Sequence, residues 1–190
     1  MSEANFTLIF NDVSKKMDGL DKTLTYHCKE HTLDVLEQCE RIAGLEGITD
    51  PHSLYLLKTA AMYHDTGFLE GYSSHEDRSC HIFLQDAGLY HFNEQDKSII
   101  LGLIDATRLP QKPGNLLEEI ICDADLDYLG RPDFFATSDA LRQEFLHYKV
   151  VENNAQWEAL QLNFLRKHHY FTKSSVQLRA PVKEQNMQKL

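Results

Sequence analysis

Residues 59–68 read Thr-Ala-Ala-Met-Tyr-His-Asp-Thr-Gly-Phe, and the chemistry of the chain is organised around this stretch. Leucines at 56–57 and alanines at 60–61 recur one turn apart, which predicts a helix that packs closely against its neighbours. His64 and Asp65 stand side by side at the end of this apolar run. An imidazole and a carboxylate are costly to bury without a charged partner. A divalent metal would supply that partner and accept one nitrogen and one oxygen ligand from the pair.

The same residues also have a purely structural interpretation. At the C-terminus of a helix, His64 would interact favourably with the helix dipole, and Gly67 would end the helix. The stretch alone leaves both interpretations open, and the rest of the chain has to decide between them.

The composition is that of an ordinary globular domain. The chain has 190 residues, of which 42% are hydrophobic and 25% are charged, and it suits a single domain spanning residues 1–190. No stretch approaches 18 consecutive apolar residues, and Glu3 stands where a signal peptide would be basic, so we expect no membrane partner. Four scattered cysteines without a CxxC pair indicate neither a disulfide framework nor a structural zinc site. A cytoplasmic location is therefore expected.

The charge of the chain also restricts its partners. A formal net charge of −10 argues against binding to nucleic-acid backbone, which needs clustered lysine and arginine. Ten histidines are many for this length, and they are the first compositional indication of chemistry.

The spacing of apolar residues predicts an all-α bundle of about eight or nine helices. We find no convincing alternating strands and no internal repeats. Asp50 and Asn93 are expected to begin helices, and Ser74 is a plausible N-cap. The predicted segments are 5–15, 24–43, 51–65, 76–88, 93–107, 116–129, 132–151, 154–169 and 172–190.

Three clusters of metal-ligand residue types fall on separate predicted segments. They are His27 with His31, His64 with Asp65, and Asp123 with Asp125. The first pair is four residues apart and would share one helical face, where the alternative is a solvated surface. The aspartates lie in a segment otherwise suited to a core, where the alternative is that they turn to solvent.

The order of these residues resembles the H…HD…D signature of the HD superfamily of metal-dependent phosphohydrolases. The resemblance covers a motif-bearing core of about residues 24–135, and it leaves the helices of 136–190 to pack on this core or cover it. The matching contexts are Tyr26-His27-x-x-x-His31-Thr, Tyr63-His64-Asp65-x-Gly67, His75-Glu76-x-x-Ser79 and Asp123-Ala-Asp125-Leu.

The resemblance implies four ligands for a divalent ion, one of Mn, Fe, Co, Ni, Zn or Mg. These ligands are His31, His64, Asp65 and Asp125. We choose Asp125 over Asp123 because the last ligand of the family sits in an Ala-Asp-Leu or Ala-Asp-Arg context, and Asp123 then becomes an orienting group. His75 falls where two-metal members of the superfamily place a further ligand. A second ion, bridged to the first by Asp65, is therefore one alternative.

The activity implied is hydrolysis of a phosphate mono- or diester by a metal-activated water, with a nucleotide or another small phosphorylated metabolite as substrate. His27 occupies the position of the histidine that protonates the leaving oxygen in related cyclic-nucleotide phosphodiesterases. Glu70 and Glu76 are candidates to orient or deprotonate the water, with solvent-facing carboxylates as the alternative. The candidate phosphate-binding cations are Lys29, Arg78 and Arg131, each of which is alternatively a surface charge.

Other functions of the same fold stay open. The chain lacks the ExD-type acidic pair of the guanosine tetraphosphate hydrolases and the GYP context of the cyclic-di-GMP hydrolases. A non-catalytic metal- and nucleotide-binding regulatory module is one alternative, and a di-iron oxygenase is another.

We also consider a homodimer. The loop 108–114 could shape specificity, and residues 168–172 either close over the site or pack against the core.

Overall fold

The computed structural model describes residues 3–190, and it is all-helical within that range, which confirms the predicted fold class. It contains ten α-helices, slightly more than predicted, and two short 3₁₀ turns at Thr66–Leu69 and Asp127–Gly130. The helices are α1 (Glu3–Met17), α2 (Lys29–Leu45), α3 (Pro51–Tyr63), α4 (His75–Ala87), α5 (Glu94–Ala106), α6 (Leu116–Asp125), α7 (Phe134–His147), α8 (Asn154–Lys167), α9 (Lys173–Leu178) and α10 (Ala180–Met187).

Two predicted helix starts are confirmed by their caps, and a third has a different basis. The side chain of Asp50 accepts from the backbone N–H of Ser53 ahead of α3, and the side chain of Asn93 caps α5 in the same way. Ser74 precedes α4 as expected, but its φ is 51° and its side chain makes no capping hydrogen bond. A side-chain cap from Ser74 therefore does not account for the start of α4.

The prediction of one helix from residue 24 to 43 was wrong at its beginning. The helix α2 begins at Lys29, with Cys28 at its N-cap, and the segment 24–28 is irregular. The physical reason lies far along the chain, because Glu144 accepts hydrogen bonds from the backbone N–H groups of Tyr26 and His27. His27 is therefore outside the helix, and its approach to the centre does not come from a shared helical face.

The C-terminal stretch, predicted as one helical segment, forms two helices. Pro181 lies in the first turn of α10, where its missing N–H is tolerated. The same proline cannot continue a preceding helix, so α9 ends at Leu178. This break lets α10 turn back onto the 3₁₀ turn at Asp127–Gly130.

The main core surrounds α3, which packs against α1, α2 and α5. Ala60 and Ala61 are fully buried in it, as their small size and spacing predicted. A second apolar cluster joins the end of α6 to the C-terminal helices, and its members are Tyr26, Leu126, Tyr128, Leu129, Phe134, Leu165 and Tyr170. The candidate ligands lie on the elements that these two clusters hold together.

No helix within residues 3–190 combines the length and the apolar character that a bilayer span requires.

Candidate metal centre

Three separate elements bring four of the predicted ligands to one place. His31 projects from the first turns of α2, His64 and Asp65 directly follow α3, and Asp125 is the last residue of α6. Ligand atoms of His31, His64 and Asp65 all lie within 4.8 Å of one another, and their side chains are 7%, 1% and 4% exposed. These three residues form a buried group that can hold a metal ion.

The Asp65 carboxylate faces both histidines through the same oxygen. Its Oδ2 atom lies 3.2 Å from His64 Nε2 and 3.4 Å from His31 Nε2. Asp125 lies near the same two nitrogens, with its Oδ1 atom 3.2 Å from His31 Nε2 and 3.8 Å from His64 Nε2. Two imidazole nitrogens and two carboxylate oxygens thus converge on one small volume.

The Oδ2 atom of Asp65 is buried and has no hydrogen-bond partner. A buried carboxylate oxygen normally finds a donor or a cation, because leaving it unsatisfied is costly. Across the site, His64 Nδ1 lies 2.7 Å from the carbonyl oxygen of Ala61, to which it donates, and this contact turns His64 Nε2 towards Asp65. A metal-ligating histidine is usually oriented by such a bond on its other nitrogen. These residues therefore fit a divalent cation.

The electrostatics of the buried group point the same way. Burial, the largest influence, lowers the pKa of His64, but the negative charges of Asp65 and Asp125 outweigh it and raise that pKa to about 9. Burial raises the pKa of Asp65, but the charges of His64, His27 and His31 hold it well below its usual value. The site therefore favours positive charge beside Asp65. Mixed nitrogen and oxygen ligands suit Mn, Fe, Co, Ni, Zn or Mg, and the donor set selects none of them.

His75 faces the second oxygen of the same aspartate. Its Nε2 atom lies 3.4 Å from Asp65 Oδ1, whereas His31 and His64 contact Oδ2. Burial lowers the pKa of His75, which favours the neutral imidazole that ligates metals. The Oδ2 atom of Asp65 therefore faces His31 and His64, and its Oδ1 atom faces His75.

His27 is held at the edge of this group by a residue that the sequence did not reveal. Its Nδ1 atom makes a short contact with Oε1 of the fully buried Glu144. Tyr72 donates to the same carboxylate from 3.1 Å. The His27 ring also lies against the ring of Phe68, with the planes 24° apart. Glu144 occurs in α7 without any motif around it, and no local signal marks it.

Gly67 is required by a close backbone contact. A Cβ atom at this position would lie 1.9 Å from the carbonyl oxygen of His75. Its N–H donates to Ser79 Oγ over 2.8 Å, and Ser79 in turn donates to the carbonyl oxygen of His64 over 2.6 Å. The helix α3 already ends at Tyr63. Gly67 therefore holds the start of α4, including His75, against the His64–Asp65 segment rather than ending the helix.

Asp123 has a different environment from Asp125. Its carboxylate accepts hydrogen bonds from the backbone N–H groups of Phe171 and Thr172 and from the hydroxyl of Thr172, at 2.7–2.9 Å. Burial raises the pKa of Asp123 against these bonds. Asp123 thus anchors the segment after α8, and Asp125 is the aspartate that reaches the histidines.

The remaining predicted site residues are distributed unevenly. Glu76 is buried beside the group and pairs with Arg108 at 3.3 Å, whereas Glu70 is exposed and borders a separate cavity. The three predicted phosphate-binding cations have other partners. Lys29 bonds to Asp18, Arg78 to the carbonyl oxygen of Ser73, and Arg131 to Asp34 and Asp133.

A cavity of about 640 Å³ opens beside the candidate ligands. His27, Asp65, His75 and Asp125 line one end of it. The loop after α5 contributes Leu109, Pro110 and Gln111 to its lining. The segment after α8 contributes His168, His169 and Phe171. The segment 168–172 therefore both borders the cavity and, through Thr172, packs against Asp123. The candidate ligands therefore border a space large enough for a small molecule.

Comparison with known proteins gives no further support for the resemblance seen in the motifs. No family model matches the chain, and no curated protein or solved structure gives a significant match. What is established is an all-helical fold with a buried His-His-Asp group that can hold a metal ion.

Proposed function

We propose that the protein is a metal-dependent phosphohydrolase of the HD kind. One observation carries the proposal: His31, His64 and Asp65 converge from separate elements around a buried carboxylate oxygen that lacks a partner. Asp125 lies within 3.2 Å of His31 and would complete the ligand set. The motif order along the chain supports the same conclusion.

The chemistry follows from the residues around the cavity. A divalent ion held by His31, His64, Asp65 and Asp125 would supply an activated water and polarise a phosphoryl oxygen. His27 lines the same cavity, and Glu144 occupies its Nδ1 atom, so Nε2 is the nitrogen left to exchange a proton with the leaving group.

The protonation state of His27 suits this role. Burial lowers the pKa of His27, but the hydrogen bond that His27 donates to Glu144 and the charge of Asp65 outweigh burial and raise it. A raised pKa favours the protonated imidazole, the form that a general acid requires. The buried Glu76, held by Arg108, is the remaining candidate to orient the water.

A regulatory module that binds metal without turnover is the second candidate. One observation favours it, because Lys29, Arg78 and Arg131 are all engaged by other partners. A phosphate group would then depend on the metal and the histidines alone for positive charge. Retained metal without hydrolysis across a broad panel of phosphate esters would select this candidate.

A di-iron oxygenase of the same fold is favoured by the position of His75. Its Nε2 atom lies 3.4 Å from Oδ1 of Asp65, whereas His31 and His64 contact Oδ2. Two iron ions per chain, seen by Mössbauer or electron paramagnetic resonance spectroscopy, would support this function over hydrolysis.

The decisive experiment joins metal analysis to a screen of phosphomonoesters and phosphodiesters. We expect the purified protein to hold a divalent ion and to hydrolyse at least one class of ester. His31→Ala and Asp125→Ala should lose both properties, and Lys29→Ala serves as a matched control because Lys29 pairs with Asp18 outside the cavity. Full activity in metal-free protein would overturn the proposal.

A further inference from the structure

The cavity beside the candidate metal centre has two ends of different chemistry. The ligand end is polar and charged, with Asp65, His75 and Asp125. The far wall comes from α7 and α8, and it is formed by Leu141, Phe145, Trp157, Leu160 and Phe164. Leu126 and Leu129 also line the cavity. A molecule bound at the ligand end therefore meets an aliphatic and aromatic surface as it extends.

The charges around the cavity do not suit a polyanion. Within residues 3–190, Lys167 is the single lysine or arginine that lines the cavity, whereas Asp65, Glu76 and Asp125 line it as carboxylates. One phosphate could be balanced by a divalent ion and the nearby imidazoles. The several phosphates of a nucleoside triphosphate would find no comparable set of cations.

The far wall also offers little to a sugar. The amide nitrogen of Gln161 already donates to the hydroxyl of Ser138, and Asn163, the other amide of α8 that lines the cavity, is exposed. Gln111, at the rim, has its amide directed to Asp125 Oδ2 and the carbonyl oxygen of Cys122 at 3.4 Å. Ribose hydroxyls buried against leucine and phenylalanine side chains would lose their hydrogen bonds to water without replacement.

The size of the cavity fits a substantial apolar group. A volume of about 640 Å³ lies in the range of small-molecule sites. At about 30 Å³ per water molecule it has room for roughly twenty waters. Water against an apolar wall is displaced favourably by an apolar group. The wall therefore provides binding free energy that a short or highly polar substrate would not use.

We propose that the site takes a phosphate monoester whose organic group is large and apolar, an alkyl chain or an aryl system, in preference to a nucleotide. The part of this inference that concerns the phosphate rests on the proposed function. The part that concerns the apolar group rests on the cavity wall alone. The apolar group would lie along α8, against Trp157 and Leu160, with the phosphate near Asp65 and Asp125.

Trp157 gives a direct reading of binding that does not need turnover. It is the single tryptophan of the chain, and it is buried at the cavity wall. Octyl phosphate and 1-octanol, each titrated below its aggregation limit, should quench or shift its fluorescence saturably. Adenosine monophosphate at equal concentration should leave the emission unchanged. Phenyl and 1-naphthyl phosphate, compared by their turnover, separate a general apolar preference from one for alkyl chains.

A matched pair of variants tests the location. Leu160→Gln should weaken octyl phosphate binding at least tenfold, because it puts an amide into the wall. Leu84→Gln should leave the affinity unchanged, since Leu84 is similarly exposed, 47% against 42% for Leu160, and does not line the cavity. Affinities are read from the titrations, because a change at residue 160 can alter the starting spectrum of Trp157.

The outcomes separate this inference from the proposed function. Saturable octyl binding that Leu160→Gln weakens supports the apolar site, even when no ester is hydrolysed. Adenosine monophosphate bound or hydrolysed more efficiently than octyl phosphate overturns the apolar preference while leaving hydrolysis intact. Equal octyl affinities for Leu160→Gln and the wild type also overturn it.

Discussion

The Nε2 atoms of His31 and His64 lie 3.5 Å apart, although 33 positions separate the two residues in the chain. Two imidazoles that point the same nitrogen at each other in a buried site must share a proton or a cation between them. Asp65 Oδ2 lies 3.4 Å and 3.2 Å from these same nitrogens and has no hydrogen bond. A metal ion would satisfy all three atoms at once.

Asp125 and Asp123 provide a test of which aspartate binds the metal. Asp125→Asn should lose most of the bound ion, because Asp125 is the carboxylate beside His31. Asp123→Asn should keep the ion and instead lower the free energy of unfolding by about 1–3 kcal/mol, because it weakens buried bonds to residues 171–172. Metal content and urea denaturation measure the two effects. Loss of metal in Asp123→Asn alone would reverse the assignment.

Glu144 should affect the reaction without affecting the metal. Its carboxylate holds His27 Nδ1 and the backbone N–H groups of residues 26–27. We expect Glu144→Gln to retain the ion and to lower kcat by about tenfold to a hundredfold, the usual effect of removing an orienting partner. Glu152→Gln, an exposed change just after α7, is the control. Wild-type kcat in Glu144→Gln would show that the position of His27 does not matter for turnover.

Gly67 and Gly44 should respond in opposite ways to alanine. At Gly67 a Cβ would meet the carbonyl oxygen of His75 at 1.9 Å, so Gly67→Ala must displace α4 or the His64–Asp65 segment. A Cβ at Gly44, in the last turn of α2, meets nothing within 4 Å, and Gly44→Ala should stabilise by about 0.4–1 kcal/mol. Thermal unfolding compares them. A Gly67→Ala protein as stable as the wild type would contradict the close packing of α4.

His168 should make stability depend on pH. It is largely buried, its Nδ1 accepts from Lys183 at 3.3 Å, and its Nε2 has no partner. Burial first, and then the charges of Lys183 and His169, lower its pKa to about 3. The unfolded chain, with a histidine pKa near 6.5, binds the extra proton between these values. The free energy of unfolding should therefore fall as the pH drops below about 6.5, by at most about 1.4 kcal/mol per pH unit.

Variants isolate this contribution from the other titrating groups. His168→Gln cannot take up the proton, so its urea-denaturation stability should fall less than that of the wild type between pH 7 and pH 5. His169→Gln, at the exposed neighbouring position, should keep most of the wild-type dependence. Identical pH dependence in the wild type and His168→Gln would refute the assignment.

Much of the fold could be predicted because its signals are local. Each of these signals acts within a few residues of the helix that it defines. Examples are the cap at Asp50, the alanines of α3, and the prolines and glycines near helix ends. The adjacent His64 and Asp65 are local in the same sense. Their convergence with His31 and Asp125 was predicted from the motif order and its resemblance to a known family. The spacing of residues alone does not indicate which distant side chains meet in the fold.

The rest depends on contacts between distant residues. Glu144 acts on His27 across 117 positions, and no pattern in α7 marks it as buried. The same contact ends the helical hydrogen bonding before Lys29, which moved the start of α2. Arg131 is close to the motif in sequence, but its guanidinium bonds to Asp34. A charge near a motif in sequence therefore does not predict which partner it takes.

The central claim is tested most directly by the metal content of the purified protein, measured by inductively coupled plasma mass spectrometry beside His64→Ala. We expect about one divalent ion per chain, or two with His75 engaged, in the wild type, and near zero in His64→Ala. A folded wild-type protein that takes up none of Mn, Fe, Co, Ni, Zn or Mg would contradict the claim.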